Sequence, residues 1–454
     1  MSARLRAAAA AILGAGLRAA DPGRAVRKNL RLVPRGLSVG GERLRIDGRV
    51  VLLAVGKAAP AMAAAADDVL GSRLEPGLVV TNAGGLAGLR VLEAGHPLPD
   101  ARGLRAALLV ERLLQGLGED DLLLLLLSGG ASALLPAPAE GLSLRDKART
   151  TALLLGAGAT IHELNVVRKH LSRFKGGGLA RLAAPARVRA LVLSDVVGDD
   201  LSTIASGPVS PDPSRFEDAL AVLEDRGVQG RVPAAVRHRL RAGAKGRVPE
   251  TPKPGERLFR RVRAEVVGSN RLSLEAAARE ARRLGFRPLV LTSRLEGEAR
   301  EVARALVAVL RECVASGRPA PPPVCLLAGG ETTVTVRGRG QGGRNQEMAV
   351  AAVPPLAAFP VDALFASLAT DGVDGKSDAA GGVVDRHTAR KARALGLAPP
   401  AEFLARSDSR NFLGPAGGLI LTGPTGTNVM DLTVLLAAKG AGASIYWRGH
   451  KGAL

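Results

Sequence analysis

The stretch VLLAVGKAAPAMAAAADDVL, residues 51–70, sets the lysine Lys57 between an apolar run and an alanine-rich segment. Residues 51–55 are uniformly apolar and end at Gly56, which predicts a buried strand. Pro60 and the alanines after it predict the first turn of a helix. Because the N–H groups and the dipole of a helix N-terminus attract anions, a lysine at this junction indicates a site for phosphate or carboxylate.

Apolar runs alternate with amphipathic stretches through the first 240 residues. The predicted strands are 51–55, 78–81, 121–127 and 189–194, and the predicted helices are near 60–70, 101–117, 144–158 and 216–225. This alternation predicts an α/β fold with a parallel, doubly wound, Rossmann-like sheet. Residues 241–256 are rich in proline, glycine and charge, and therefore predict a linker. We expect an N-terminal domain at residues 1–250 and a smaller α/β domain at residues 251–454.

The second α/β domain is predicted to begin with the stretch RAEVVGSNR, residues 263–271. Its further elements are helices at 271–285 and 298–316, a strand at 288–292, and the stretch VCLLAGGETTVTV at 324–336. The alternation in TTVTV predicts a strand with one solvated face.

Composition narrows the class of function. The formal charge is +21, but the arginines are scattered and the 10 aromatic residues (8 Phe, one Trp, one Tyr) offer few stacking platforms, so we expect no nucleic-acid partner. No run is apolar for long enough to cross a bilayer, so we expect no membrane partner. Two cysteines, Cys313 and Cys325, favour a reducing compartment, the cytoplasm. The Arg-containing N-terminus suits an organellar presequence, but a helix packed on the domain is favoured. Small-molecule substrates are expected, and a homo-oligomer is left open.

Glycine-rich and acidic motifs follow several predicted strands. In LLLLLLSGGASALLPAP (122–138), the turn Ser128-Gly129-Gly130 either exposes backbone N–H groups to an anion or is a plain strand-to-helix turn. In LSDVVGDDLSTIASGP, the carboxylates of Asp195, Asp199 and Asp200 either hold Mg²⁺, which prefers one or two carboxylates together with substrate oxygens, or belong to a solvated acidic loop.

Glycine-dense loops also recur in the second half, at 328–347, 369–385 and 421–432, and they suggest one shared cleft. Gly338, Gly340 and Gly343 match the dinucleotide pattern G-x-G-x-x-G, and the acidic Asp362 follows about 20 residues later. That pattern is weak outside a βαβ unit, and Pro354 and Pro355 interrupt the segment. It remains a rival interpretation.

The motifs VGKA, AGHPLPD, SGGASALLPAP, NVVRKHLS, KGGGLA, LSDVVGDDLSTIASGP, GGETTV, GGRNQE, ATDGVDGKSDAAGG and TGPTGTNVMDL occur in this order over nearly the whole chain. Together they resemble the glycerate 2-kinase family, whose C-terminal part is called the MOFRL domain. The resemblance implies two α/β domains with the active site in the cleft between them. It also implies transfer of the γ-phosphoryl group of ATP to the 2-hydroxyl of D-glycerate with Mg²⁺.

On this resemblance Lys57 and Arg344 occupy the two catalytic basic positions. Residues expected to bind substrate or phosphate are Ser128, Gly129, Gly130, Ser132, Arg168, Lys175, Ser206, Glu331, Asn345 and Asp371, and the expected metal ligands are Asp195 and Asp199. One departure is Ala131, where the family usually has glycine; if that position requires positive φ or close approach of the ligand, affinity should suffer. The alternative functions are an NAD(P)H-dependent hydroxypyruvate reductase and a non-catalytic basic binding protein.

Overall fold

The computed structural model describes residues 2–82 and 88–439, which form two compact units. The N-terminal unit consists of residues 18–270 and 426–429. The C-terminal unit consists of the described parts of residues 1–17, 271–425 and 430–454. The first unit therefore extends to Asn270, beyond the predicted boundary at residue 250.

The strands of the N-terminal unit fall into a small antiparallel sheet and a larger parallel one. They are β1 (Leu30–Val33), β2 (Gly36–Val39), β3 (Glu42–Arg45), β4 (Val50–Val55), β5 (Leu74–Thr81), β6 (Arg90–Glu93), β7 (Leu122–Leu127), β8 (Arg187–Leu193) and β9 (Val262–Gly268). The helices up to residue 244 are α1 (Ser2–Ala19), α2 (Pro22–Asn29), α3 (Ala59–Leu70), α4 (Ala101–Gln115), α5 (Ala131–Leu134), α6 (Leu144–Gly156), α7 (Ile161–His170), α8 (Gly178–Ala183), α9 (Phe216–Asp225) and α10 (Ala234–Ala244).

The larger sheet confirms the predicted parallel, doubly wound architecture. In the described residues its order is β6-β5-β4-β7-β8-β9, and every neighbouring pair is parallel. The chain builds outward from β4 in one direction, then returns to the other side of β4 with β7. Ligands of such sheets bind beyond the carboxyl ends of the strands at this reversal. Lys57 follows β4, and the Ser128-Gly129-Gly130 turn follows β7.

The six leucines of β7 show why this strand lies at the centre of the sheet. All are buried, and successive side chains point to opposite faces of a strand. Leu123, Leu125 and Leu127 pack into the core on one face, while the leucines at 122, 124 and 126 pack into the core on the other. A continuous apolar run of this kind suits a strand covered on both faces.

Two features of the N-terminal unit differ from the sequence-based predictions. β9, which the sequence suggested as the start of the second domain, pairs in parallel with β8 and completes the first sheet. Residues 241–256, predicted to be a linker, lie within the compact N-terminal unit. In addition, the antiparallel sheet β1–β3 was not predicted; β1 and β3 are only partly buried, whereas β2 is mostly buried.

The C-terminal unit is built on a mixed sheet. Its strands are β10 (Arg287–Leu295), β11 (Val324–Gly330), β12 (Ala363–Ala369), β13 (Gly381–Asp385), β14 (Leu419–Ile420) and β15 (Asp431–Ala437). Its helices are α11 (Asn270–Arg283), α12 (Ala299–Ser316), α13 (Arg344–Ala357), α14 (Thr388–Ala394), α15 (Pro400–Ala405) and α16 (Ser409–Ala416). Among the described residues the strand order is β10-β11-β15-β12-β13-β14, and only β10 and β11 pair in parallel.

The predicted strand over TTVTV is wrong. β11 ends at Gly330, whose φ of +146° is a conformation that other residues rarely adopt, and residues 332–336 form no strand. The expected N-terminal helix is confirmed: α1 buries Leu5, Ile12 and Leu13 in a core of the C-terminal unit. No helix of the described chain combines the length and apolar character needed to cross a membrane.

Candidate active site

Two turns at the reversal point of the parallel sheet are joined by hydrogen bonds. The backbone N–H of Lys57 donates to the carbonyl of Gly129 at 2.9 Å, and the N–H of Ala58 donates to Oγ of Ser128 at 3.0 Å. Gly56 has φ +134°, and a Cβ there would lie 2.1 Å from Oγ of Ser128. The strand-to-helix junction of Lys57 therefore depends on the turn after β7, and the Lys57 side chain is left exposed.

Two further ionisable side chains border the glycine turn. A Cβ on Gly129 would lie 2.0 Å from Oδ2 of Asp195, which follows β8, so the carboxylate lies directly against this backbone. A Cβ on Gly130 would lie 2.9 Å from Cδ2 of His96 and 3.3 Å from Cγ of Lys57. Burial, and then the charge of Lys57, lowers the pKa of His96. The imidazole is therefore favoured in its neutral form, able to accept or donate one proton.

The concern about Ala131 is resolved by the backbone. The left-handed residue of this turn is Gly130, with φ +88°, which caps α5, whereas Ala131 is the first residue of that helix and has ordinary helical geometry. The side chain of Ala131 is buried in the core on one face of the sheet. A methyl group at position 131 therefore strains nothing.

A second group of predicted residues lies next to this turn. Nζ of Lys175 donates to Oγ of Ser132 at 2.7 Å and to Oγ of Ser206 at 3.3 Å. Ser206 in turn donates to Oδ1 of Asn165 at 2.9 Å. Burial lowers the pKa of Lys175 well below its usual value, and the charges of Lys147 and Arg168 lower it further. Ser132, Lys175 and Ser206 thus contact one another, and the charge of Arg168 acts on Lys175; their role in binding substrate stays a prediction.

Asp195 and Asp199 both follow β8. Among the described residues, no three His, Cys, Asp or Glu side chains group closely enough to hold a metal by themselves. Asp195 lies against the glycine turn, and its role as a metal ligand stays a prediction. Asp199 lies in the following turn with φ +57°, and its role as a ligand stays a prediction.

In the C-terminal unit, Arg344 begins α13 and is held by two carboxylates. Its Nε and Nη2 donate to the two oxygens of Asp431 at 2.5 and 2.9 Å, and its Nη1 lies 2.9 Å from Oε1 of Glu331. A guanidinium has five N–H groups, and two of those of Arg344 donate to Asp431, so within the described chain others remain for a ligand. Burial alone would lower the pKa of Arg344, but its hydrogen bonds with Asp431 and the two carboxylate charges raise it, so the cation is permanent.

Two opposing effects set the pKa of Asp431. Burial raises the pKa of Asp431 to about 6, although the Arg344 hydrogen bonds and charge oppose the rise. Desolvation therefore outweighs pairing at the carboxylate. The Asp431 side chain can still serve as a rigid bidentate support for Arg344 at neutral pH.

Arg344 borders a cavity of about 790 Å³ in the C-terminal unit. The glycine loop 338–343 forms much of its wall, together with Glu331, Asp374 and Lys376. Small-molecule sites usually have volumes of about 300 to 1,000 Å³. The cavity is therefore large enough for a nucleotide or a small acid.

The amino end of α13 is already capped by a carboxylate. Asp374 accepts hydrogen bonds from the backbone N–H groups of Asn345 and Gln346, at 3.2 and 2.8 Å, and from both of their side chains. Asn345 is fully buried and also accepts a 2.6 Å bond from Ser367. Its side chain is thus committed to the core, and its role in binding substrate stays a prediction. Asp371 accepts from the N–H of Val373 within its own loop.

These contacts weaken the dinucleotide interpretation of Gly338, Gly340 and Gly343. The helix N-terminus that would receive a pyrophosphate holds the Asp374 carboxylate instead, which already occupies the backbone N–H groups of Asn345 and Gln346. Asp362 immediately precedes β12, at the amino end of that strand, whereas the ribose partner of a dinucleotide fold belongs at a carboxyl end.

Several residues of these sites were missed by the sequence-based analysis. Asp431, Asp374 and Asn165 lie within quoted motifs, yet nothing in a single sequence shows which side chains or turns they contact. Lys147 gave no signal, because it is an ordinary polar residue of an amphipathic helix.

Comparisons with known proteins cover almost the entire chain. The family described as "domain of unknown function (DUF4147)" matches residues 8–241, and the MOFRL family matches residues 324–431. A glycerate 2-kinase of Pyrococcus horikoshii is 42% identical over 95% of this chain and 97% of its own length. A putative hydroxypyruvate reductase of Agrobacterium vitis is 41% identical, over 94% and 93%.

A solved structure agrees with the sequence relatives. The crystal structure of a glycerate kinase from Thermotoga maritima superposes with a TM-score of 0.85 at 40% identity, over 96% of this chain and 100% of the other. The motifs, the fold and these similarities coincide along the whole length, and the chain belongs to the glycerate 2-kinase family.

Proposed function

We propose that this protein is a D-glycerate 2-kinase, which transfers the γ-phosphoryl group of ATP to the 2-hydroxyl of D-glycerate and yields 2-phospho-D-glycerate and ADP. The observation that carries the proposal is the group at the reversal point of the parallel sheet, where Lys57 and Asp195 border the Ser128-Gly129-Gly130 turn. The family membership and the glycerate kinases among the relatives support the same reaction.

The chemistry asks for positive charge more than for covalent participation. In phosphoryl transfer the charge develops on the equatorial and bridging oxygens, and preorganised cations stabilise it. The exposed Lys57 supplies a point charge fixed at its backbone by Gly129. Arg344 supplies a planar donor whose orientation Asp431 and Glu331 hold, so that little reorganisation is needed when the phosphoryl group moves.

The carboxylate of Asp195 lies against the glycine turn, where it suits either of two tasks. It can take part in binding Mg²⁺ with the nucleotide phosphates, or it can accept the proton of the 2-hydroxyl. Asp199 is proposed for the same two tasks. When bound, Mg²⁺ would neutralise phosphate charge. His96, whose lowered pKa favours the neutral imidazole, is a further candidate for the proton acceptor.

The remaining predicted residues are assigned to binding. Ser128, Gly129, Gly130, Ser132, Arg168, Lys175 and Ser206 are proposed to contact the substrate or its phosphoryl group, and so are Glu331, Asn345 and Asp371. The cavity bordered by Arg344 and Lys376 is proposed to take ATP, because its volume suits a nucleotide. The buried free thiols of Cys313 and Cys325 suit the reducing cytoplasm.

One incubation separates this function from the reductase alternative. Purified protein is given D-glycerate with ATP and Mg²⁺, and separately hydroxypyruvate with NADH or NADPH. We expect ADP and 2-phosphoglycerate in the first reaction and no nicotinamide oxidation in the second. Oxidation of NAD(P)H without any ATP-dependent phosphorylation would overturn the proposal.

A further inference from the structure

Four basic side chains of the N-terminal unit lie close enough for their charges to interact, and one of them, Lys175, donates to Ser132. Lys147 comes from α6, Arg168 from α7, and Arg173 and Lys175 from the segment that follows α7. Lys147 is affected by the charges of Arg168 and Arg173, and Lys175 by those of Lys147 and Arg168. We refer to Lys147, Arg168, Arg173 and Lys175 as the basic cluster.

Two donors of the basic cluster, and one of the nearby Asn165, have no acceptor in the described chain. Nζ of Lys147, Nε of Arg173 and Nδ2 of Asn165 are buried and make no hydrogen bond in the described chain. In the described chain, the one carboxylate that forms an ion pair with a residue of the basic cluster is Glu111, whose Oε2 lies 3.1 Å from Nη2 of Arg173. Buried polar groups are nearly always hydrogen-bonded in folded proteins, so unsatisfied donors on two of these basic residues and on Asn165 indicate an acceptor that a ligand supplies.

The electrostatic state of the cluster leads to the same conclusion. Burial, with the charges of Arg168 and Arg173, lowers the pKa of Lys147 to about 7. An anion in contact with Lys147 and Lys175 would reverse this shift, because an opposite charge favours the protonated amine. An anion bound among these side chains would therefore stabilise the charged forms of Lys147 and Lys175.

We propose that the basic cluster, with Ser132 and Asn165, binds the carboxylate of the hydroxy-acid substrate. This inference rests on the proposed function and adds Lys147 and Arg173 as residues that determine substrate specificity. Ser132 lies two positions after Gly130, and Lys175 donates to its hydroxyl. The half-buried Arg168 and Ser132 give access from solvent.

A carboxylate fits the position of the cluster better than a phosphate does. In a 2-hydroxy acid the carboxylate carbon is bonded to the carbon that carries the reacting hydroxyl, so its site must adjoin the phosphoryl site. Under the proposed function, Lys57 and Arg344 are already assigned to the charge of the transferring group. The hydroxyls of Ser132 and Ser206 suit the small polar body of glycerate.

The test compares Lys147→Met with Lys147→Arg and with Arg149→Met, which removes an exposed basic side chain of the same helix. Loss of a charged hydrogen bond to the substrate predicts a KM for D-glycerate about 10-fold or more higher in Lys147→Met. The KM for ATP should change by less than about 2-fold. Lys147→Arg should recover part of the loss, and Arg149→Met should match the wild type.

Thermal unfolding without substrate provides a readout that a purely structural lysine would not give. Since Lys147 has no partner in the described chain, Lys147→Met should leave the Tm unchanged or raised while affinity falls. A rise confined to the KM for ATP would assign the cluster to nucleotide phosphate and overturn the proposal. Unchanged kinetics, or a lowered Tm without an effect on KM, would overturn it as well.

Binding of D-glycerate alone, measured by calorimetry, separates this inference from the proposed function. If the wild type binds D-glycerate but shows no ATP-dependent phosphorylation, the kinase assignment fails and the carboxylate site can still be tested with Lys147→Met. If the wild type phosphorylates D-glycerate and Lys147→Met binds it equally well, the carboxylate site fails alone.

Discussion

Adding one methyl group at Gly129 should disable the enzyme by displacing Asp195. A Cβ at this position would lie 2.0 Å from Oδ2 and 2.8 Å from Cγ of Asp195. The φ of Gly129 is not positive, so the Gly129→Ala backbone is unstrained and the steric contact is the perturbation. Since non-bonded carbon and oxygen atoms need more than 3 Å, the carboxylate must withdraw by about 1 Å. A misplacement of that size costs about 100-fold in rate.

The assay measures kcat as a function of Mg²⁺ concentration for the wild type and for Gly129→Ala. We expect kcat to fall about 100-fold and the Mg²⁺ requirement to rise, while the half-exposed Asp195 can move without unfolding the protein. The matched control is Gly156→Ala, because a Cβ on Gly156, at the end of α6, meets nothing within 4 Å. Wild-type kcat and Mg²⁺ dependence in Gly129→Ala would refute a catalytic role for Asp195.

Three further predictions follow from the same contacts. Lys57→Met should lower kcat by about 100-fold or more at unchanged Tm, because the exposed side chain supports charge and not packing; activity close to wild type would argue against it. Because the pKa of Asp431 is about 6, turnover should fall as the pH drops through about 6 and the protonated carboxyl loses its charge pairing with Arg344; this step should be missing from the pH profile of Asp431→Asn. Ala131→Gly should gain no substrate affinity, measured as KM, and should lose about 1 kcal/mol of unfolding free energy, measured by chemical denaturation. Gly130→Ala should lose activity, because the new methyl group is forced against His96 at a φ of +88°.

The centre of the parallel sheet could be predicted from sequence because its signals are local. Apolar runs that end in glycine gave β4 and β7 to within one residue, and the lysine and the glycine turn follow those strands directly. Parallel strands bring their carboxyl ends together, and the structure accordingly places Lys57 beside Gly129, and Asp195, which follows β8, against the same glycine.

Other features depend on contacts distant in sequence. β9 reads like the start of a new domain, and only its pairing with β8 assigns it to the first sheet. TTVTV has the alternation of a strand, but in the described chain it forms only an isolated β-bridge, between Thr333 and Glu298. Asp431 lies 87 residues after Arg344, and nothing local marks it as the partner of that arginine. What distinguishes Lys147 from other lysines is that its amine is buried without an acceptor in the described chain, which the sequence alone does not show.

The most direct test of the central claim follows the phosphoryl group itself. Wild-type protein and Lys57→Met are incubated with ATP, Mg²⁺ and D-glycerate, and phosphorus NMR identifies the carbon that carries the new ester. The account predicts 2-phospho-D-glycerate from the wild type and, in the same time, about 100-fold less from Lys57→Met. Phosphorylation of the 3-hydroxyl, or equal yields of 2-phospho-D-glycerate from both proteins, would contradict it.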